Sequence, residues 1–513
     1  MESGSSKIKR LRKYLPQVDA LELIPESMAR KYRVIPVELN DNVLRVAMAD
    51  TSDIFALEAI EIHTQKHIEA EMASIAEIQE AIDFNYQSYD EIEEQISSIS
   101  LSDVDTDTEK QLELDTIARA PVARAISLII EEAIKARASD IHLQPEEDKL
   151  RIRFRIDSIL HDTVTMPLRA AATLISRIKI LANMNIADHH RPQDGQFSIK
   201  SHGNTSMDVR VGIIPTVHGE MATLRLLDKS RAARALTELG LLPESMAVYE
   251  KMLKVPYGMI LISGPTGSGK STTLYASINS LDLKERNIIT VEDPVEYRFE
   301  RINQVQVNPR AGLTFASGLR SILRLDPDVI LIGEIRDAET AKIAVQAALT
   351  GHLVLSSIHA NDAVSVTFRL LDLGVEPFLV STALIGVVAQ RMVRRVCPDC
   401  AQSSDIPLME EMMFSMETSG TNYPVIEERH QVMRGVGCKS CANTGYQGRI
   451  GIFEILQMND EIRSTLLTGT TPAKLRAQAI KDGMIPLIRD GMQKVKSGIT
   501  TAEEVLRNTY SAD

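Results

Sequence analysis

Eight residues, Gly264-Pro265-Thr266-Gly267-Ser268-Gly269-Lys270-Ser271, constrain this chain more than any other feature. They complete the pattern G-x-x-x-x-G-K-[ST] between an apolar run, 259–263, that reads as a strand and a segment, 272–280, that reads as a helix. The pattern demands a strand, a tightly curled loop and a helix in that order. Glycines let the backbone turn so that N–H groups and the helix N-terminus face an anion. Lys270 is then expected to reach the β- and γ-phosphates of a nucleotide, and the Ser271 hydroxyl to ligate Mg²⁺. Residues Gly264, Pro265, Thr266, Gly267, Ser268, Gly269, Lys270, Ser271 and Thr272 are the expected ATP-binding set.

Such a loop needs a carboxylate at the end of a neighbouring strand. Val329-Ile330-Leu331-Ile332-Gly333-Glu334 supplies one, placed to hold the Mg²⁺ hydration shell or polarise the attacking water. Thr290-Val291-Glu292-Asp293-Pro294 is a second acidic strand end, readable also as a solvated turn nucleated by Asp-Pro. His352 and His359 bracket the apolar run 353–356; the residues alone leave open whether they are structural or sense the γ-phosphate.

The chain has 513 residues, enough for three or four domains. Its 44% hydrophobic and 25% charged content is that of an ordinary globular protein. A net charge of −13 argues against a nucleic-acid binder, which usually carries a basic footprint. No run of about 18 apolar residues marks a membrane span, and the polar start, 1–12, is not a secretory signal. A cytoplasmic protein without direct membrane insertion is therefore expected.

Read along its length, the chain begins with a small α/β module, 1–86, with strands at 33–37 and 43–48 and helices at 52–62 and 76–85. Ten acidic residues against one lysine between Gln87 and Asp115 then predict a flexible linker, 87–116. A second α/β domain, 117–235, starts with an amphipathic helix from Pro121. On its strand 150–156, Arg151, Arg153 and Arg155 alternate with Leu150, Ile152 and Phe154. Strand-like runs alternating with helical segments make 236–395 a mostly parallel sheet domain. A cysteine-bearing element, 396–455, and a helical region, 456–513, follow.

Cys397-Pro398-Asp399-Cys400 and Cys438-Lys439-Ser440-Cys441 are two C-x-x-C pairs separated by 37 residues. Four thiolates from two knuckles satisfy tetrahedral Zn²⁺ with no open position, which predicts a structural site. Thiol–disulfide chemistry, the rival, needs only one pair and a thioredoxin-like context that is missing.

Together these motifs resemble the ATPase family of type II secretion and type IV pilus assembly. Residues 289–297 resemble its aspartate box, 319–340 its Walker B region and 350–359 its histidine box; Ala138-Ser139-Asp140-Ile141-His142 and 191–196 resemble signatures of its second N-terminal domain. The resemblance covers about 120–510. It implies a RecA-like P-loop core preceded by a smaller, PAS-like α/β domain, and an N-terminal docking domain. It also implies a homohexamer that drives polymerisation of pilin-like subunits through an inner-membrane platform protein and a cytoplasmic adaptor. Glu334 and Glu292 become the candidates for water activation and Mg²⁺ handling, with the roles undivided. His352 and His359 become nucleotide-linked, and Arg210 and Arg225 become arginines that reach the phosphates on domain closure. Arg320, Arg324 and Arg336 are weaker candidates for that work. The tetracysteine element matches the assembly members, whose pilus-retraction relatives lack it. The departures are Ser158 for a usual Gly, Ile213-Ile214 for a small polar pair, and Ala360 for a frequent Thr. The leucine- and glutamine-bearing motif that binds cyclic di-GMP in some relatives is not intact, so that ligand is not expected. The alternative function is a DNA-uptake or nucleic-acid translocating motor.

Overall fold

The computed structural model describes residues 20, 23–40, 43–85, 120–200, 206–228, 234–405, 431–441 and 443–509. The expected linker, 87–116, and the polar start, 1–12, lie outside them. The described residues fall into two compact units, one within 1–197 and 209–226, the other within 198–208 and 227–513.

In the first unit, β1 (Val34–Asn40), β2 (Val43–Met48) and β3 (His67–Met72) form a three-stranded sheet, antiparallel between β1 and β2 and parallel between β2 and β3. A parallel pair needs a crossover, and the helix Ile54–Thr64 supplies it, capped by Asp53 accepting from the Ala56 N–H. β3 went unread in the sequence because its polar residues carry little apolar alternation.

The same unit contains β4 (Asp140–Pro145), β5 (Lys149–Ile156), β6 (Ile159–Pro167), β7 (Gln193–Lys200), β8 (Ser206–Thr216) and β9 (Gly219–Asp228), the last two and β7 meeting its boundary. They are ordered β6-β5-β4-β9-β8-β7. The alternation on β5 is realised: Leu150, Ile152 and Phe154 are buried, while the arginines between them stay part-exposed. The helices Ala120–Lys135 and Arg169–Leu181 add Ile126, Ile129, Leu174 and Ile175 to the core.

The second unit is built on β10 (Gly258–Ser263), β11 (Ile288–Glu292), β12 (Asn303–Gln306), β13 (Val329–Ile332), β14 (Leu353–Ile358) and β15 (Leu384–Val396). These run parallel in the order β12-β11-β13-β14-β10-β15. Every residue of β10, β11, β13 and β14 is buried, which explains runs without polar alternation: a parallel sheet is covered on both faces. β16 (Ala401–Asp405) and β17 (Gln431–Gly435) pair antiparallel in the cysteine segment. β18 (Tyr446–Gln457) then returns antiparallel to β15 and becomes the seventh strand of the large sheet. The cysteine element is thus an excursion between two paired strands, and Tyr446 to Glu454 belong to the sheet.

Four helices follow, Asp460–Leu467, Pro472–Lys481, Leu487–Lys496 and Ala502–Thr509. They are joined to β15 and β18 by polar contacts shielded from solvent, one an ion pair and one a hydrogen bond to an ion-paired carboxylate. Arg394 meets Glu504 at 2.6 Å and lies 3.9 Å over the Tyr446 ring. Asp490 and Lys494 pair out of contact with solvent, and Asp490 also accepts from the Phe453 N–H. Burial pushes the Asp490 carboxyl up and the Lys494 ammonium down, each against the attraction of the other. Removing one member therefore strands a buried charge. Lys494→Met is expected to cost about 3–5 kcal/mol in urea unfolding, and Asp490→Asn combined with it to recover at least half, since the neutral amide still accepts from Phe453. Equal losses in the single and double variants would contradict this account.

Candidate functional site

The polarity of the parallel strands places the loop 264–269. β10 ends at Ser263, and the chain must turn at once into the helix Lys270–Asn279. Gly264, Gly267 and Gly269 adopt φ of 147°, 81° and 89°, a region that disfavours side chains. At Gly264 a Cβ would also lie 2.4 Å from the Gln390 carbonyl oxygen.

The helices Ala338–Leu349 and Ala363–Asp372 begin with aspartate caps, but Gly269 offers the helix Lys270–Asn279 no side-chain cap. Its first N–H groups are left for a ligand. Ser268 is buried, and its hydroxyl has no hydrogen-bond partner among the described residues. The Lys270 ammonium donates to the carbonyls of Gly264 and Pro265 at 2.8 and 3.0 Å. Burial lowers its pKa, Glu334 acts to raise it and Arg391 to lower it further. Uncapped N–H groups, an unpartnered hydroxyl and a half-buried cation fit an anionic phosphate. Ser271 is exposed and Thr272 half-buried in the first helical turn. A cavity of about 480 Å³ adjoins the loop, lined among others by Gly264, Pro265, His359, Asn361 and Arg369.

Glu334 and His359 converge here because β13 and β14 end at the same edge as β10. One Glu334 oxygen meets Arg336 at 2.5 Å and the other meets His359 Nε2 at 3.4 Å. Glu292, at the end of β11, is differently placed. It is buried and accepts from the Tyr275 hydroxyl, from Thr290 Oγ1 at 2.6 Å and from Gln304 Nε2 at 3.2 Å.

His352 is not brought to the loop. The β10–β14 register pairs Gly258 with Leu353 and Ser263 with Ile358, so His352 precedes the strand while His359 follows it. The two histidines are thus about 23 Å apart along β14, at roughly 3.3 Å per residue. His352 Nδ1 instead faces the Ala347 carbonyl at 3.0 Å, closing the end of the preceding helix. Proximity in sequence to the histidine-box motif concealed this separation. Arg320 pairs with Glu339, and Arg324 bonds the Arg320 carbonyl at 2.7 Å, so both are engaged locally.

Arg210 and Arg225 lie in the first unit, on β8 and β9. Arg225 is held at Nε by Asp140 at 3.0 Å, across the register that pairs these two residues. The Asp140 carboxylate also accepts from Ser139 Oγ at 2.8 Å and lies 3.8 Å from Arg155 Nε. Two residues beside the loop were missed in the sequence, Gln390 and Arg391, because they sit in an unremarkable stretch of β15. Arg391 donates to the carbonyls of Gln390, at 3.2 Å, and Asn361.

The four cysteine sulfurs lie within 4.8 Å of one another. Cys397–Cys438, Cys400–Cys441 and Cys438–Cys441 are separated by 3.8, 3.9 and 3.7 Å. Four thiolates around a tetrahedral ion at about 2.3 Å would be spaced by about 3.8 Å, whereas a disulfide needs about 2.05 Å. The donor set fits zinc. Burial pushes the Cys397 thiol up to about 12. Burial acts the same way on Cys441, but the Cys438 and Gly445 N–H groups donate to its sulfur and the balance is a lowered pKa. Gly435 and Gly445 let the two knuckles touch: a Cβ at Gly435 would lie 2.0 Å from the Gly445 oxygen.

Comparison with known proteins agrees with this geometry. A model of the family described as "Type II/IV secretion system protein" matches residues 115–507, and a model of the MshEN domain matches 8–91. MshEN relates to cyclic di-GMP binding, which runs against the expectation that this ligand is excluded. The chain is 42% identical over 506 residues to the type IV pilus assembly ATPase PilB of Myxococcus xanthus, covering 97% of this chain and 88% of that one. It is 47% identical over 397 residues to the type II secretion system protein E of Klebsiella pneumoniae, covering 77% of each. Among solved structures, the pilus retraction motor PilT with bound ADP aligns with a TM-score of 0.51 at 26% identity, covering 75% of this chain and 96% of PilT. The Legionella pneumophila ATPase DotB shares the fold, with a TM-score of 0.55 at 20% identity over 74% of this chain and 94% of DotB. No helix among the described residues is long and apolar enough to cross a membrane. With a complete phosphate loop, an acid-ended neighbouring strand and a family match over most of its length, the chain is an ATPase and belongs to the Type II/IV secretion system protein family.

Proposed function

We propose that the chain is the ATP-hydrolysing motor of a type IV pilus assembly or type II secretion machine. It would act as a homohexamer on the cytoplasmic side of the membrane, driving polymerisation of pilin-like subunits through a membrane platform and its adaptor. The observation that carries this reading is the convergence of Lys270, Glu334 and His359 at one sheet edge, in a chain similar over nearly its whole length to a pilus assembly ATPase.

In this reading the loop N–H groups and Lys270 hold the β- and γ-phosphates, and Ser271 anchors the metal. Mg²⁺ supplies charge neutralisation on the phosphate oxygens. Water attacks the γ-phosphorus and the bond to the ADP oxygen breaks; the cations take up charge that spreads over the transferring group. The two acids divide the work. Glu292 already accepts three hydrogen bonds of the roughly four a carboxylate can take, so it fixes the strand end. Glu334 is held by two exposed partners, Arg336 and His359, that can part from it, so its carboxylate is free to orient the attacking water and would hold the hydration shell of a bound Mg²⁺. Arg225, oriented by Asp140, and Arg210 supply guanidinium groups when the smaller domain closes on the nucleotide. His359 links the phosphate to the loop behind β14. His352 keeps a structural place. The four cysteines would hold one Zn²⁺, which ties two knuckles together and takes no part in hydrolysis.

Three outcomes follow. Glu334→Gln is expected to lower kcat by about 100-fold or more with nucleotide affinity changed less than about threefold, and Glu292→Gln to lower it by less than about tenfold; the reverse order would overturn the division of roles. Arg225→Ala is expected to lower kcat by about 100-fold or more, read together with oligomeric mass by light scattering, and a full rate in an intact oligomer would remove it from the site. Metal analysis of the purified chain is expected to give one zinc per chain, lost in Cys438→Ser with a lower Tm; retention of zinc in that variant would place the metal elsewhere.

A further inference from the structure

The phosphate loop is not held in shape by its glycines alone. In the β10–β15 register Ser263 faces Ala389, so Gln390 stands level with Gly264, where β10 leaves the sheet and the loop begins. Gln390 is 1% exposed. Its Nε2 donates to the Ser268 carbonyl at 2.6 Å, and its Oε1 accepts from Thr273 Oγ1 at 2.8 Å. One amide therefore bridges the last turn of the loop and the first turn of the helix that follows. Its own carbonyl oxygen closes the space beside Gly264, which is why a Cβ there has no room.

From this geometry we infer that Gln390 is a positioning residue for nucleotide binding. It fixes the Ser268 carbonyl outward from the cradle, so that the neighbouring N–H groups point at the phosphates before the ligand arrives. The inference rests on the reading of 264–271 as the phosphate site and goes beyond it by naming what preorganises that site. The job needs a group that donates at one end and accepts at the other, with the reach of two methylenes. Glutamine is the side chain that combines them. Glutamate would turn an oxygen toward the Ser268 carbonyl and bring a buried negative charge beside the phosphates. Methionine keeps the volume and loses both hydrogen bonds. Loosening the loop should weaken ground-state binding, so KM for ATP should rise while kcat changes little.

The test is calorimetric binding of Mg–ADP to the full chain, with KM and kcat for ATP and the Tm without nucleotide. Gln390→Met is expected to bind about tenfold more weakly and Gln390→Glu weaker still, each folded at the assay temperature though at a lower Tm than the wild type. Thr273→Val, which deletes one of the two bonds, should lose about threefold. Lys270→Ala serves as the reference for a destroyed phosphate site. Affinity within twofold of the wild type in folded Gln390→Met and Gln390→Glu would overturn the inference while leaving the phosphate site intact. A lower Tm with unchanged affinity would overturn it too, reducing Gln390 to a core residue. If the Gln390 variants fail to fold, Thr273→Val decides: unchanged affinity overturns the inference and a threefold loss supports it. A wild type that binds no Mg–ADP overturns both this inference and the reading beneath it.

Discussion

A parallel sheet aims the carboxyl ends of its strands at one edge, and the chemistry of the second unit depends on that polarity. β10, β11, β13 and β14 each deliver a functional segment there: the loop 264–269, Glu292, Glu334 and His359. None of these segments is close to the next in sequence. The sheet brings them together, and its core makes the placement rigid, since Ile260, Ile262, Ile330, Ile332 and Val354 are all out of contact with solvent. Residues on stiff strands can hold a reacting group to within a fraction of an ångström more easily than residues on loops.

Rigidity at the edge leaves the loop itself as the adaptable part, and several contacts converge to limit it. Ser263 Oγ reaches the Ala360 carbonyl at 2.8 Å, Gln390 spans the loop, and Arg391 reaches the Asn361 carbonyl. The same segment behind His359 feeds into the helix Ala363–Asp372. Its first N–H donates to the buried Glu454 on β18 at 2.9 Å. Glu454 also meets Arg476 at 3.4 Å and accepts from Leu487, both from the C-terminal helices. Burial pushes its carboxyl up, opposed by Arg476. Polar contacts thus run from the phosphate loop through the segment 360–363 to Glu454 on β18, and from there to the helices Pro472–Lys481 and Leu487–Lys496. The cysteine element hangs between β15 and β18, so its knuckles also bear on the strand that carries Gln390.

Much of this was legible in the sequence because it is local. The phosphate loop is contiguous, strands without polar alternation announce a sheet covered on both faces, and C-x-x-C pairs carry their own geometry. The arginine alternation on β5 also came through unchanged. What escaped detection depends on register and return of the chain. Two histidines directly flanking one six-residue strand look like partners until strand direction puts them at opposite ends. Gln390 carries no local signal, because its importance comes from standing level with Gly264 across a gap of more than a hundred residues. β18 was read with the cysteines since nothing in 446–454 reveals that it pairs with β15. The unequal burial of Glu292 and Glu334 likewise needed Tyr275 and Gln304 to be placed.

The claim on which the whole account rests is that the loop 264–271 binds the phosphates of a nucleotide that this chain hydrolyses. Phosphate release from ATP by the full chain, with Mg²⁺ and with the metal chelated, tests it most directly when wild type and Lys270→Ala are run side by side. The account predicts Mg²⁺-dependent release by the wild type and none above background by the variant. Equal release by the two proteins, or release indifferent to chelation, would contradict it.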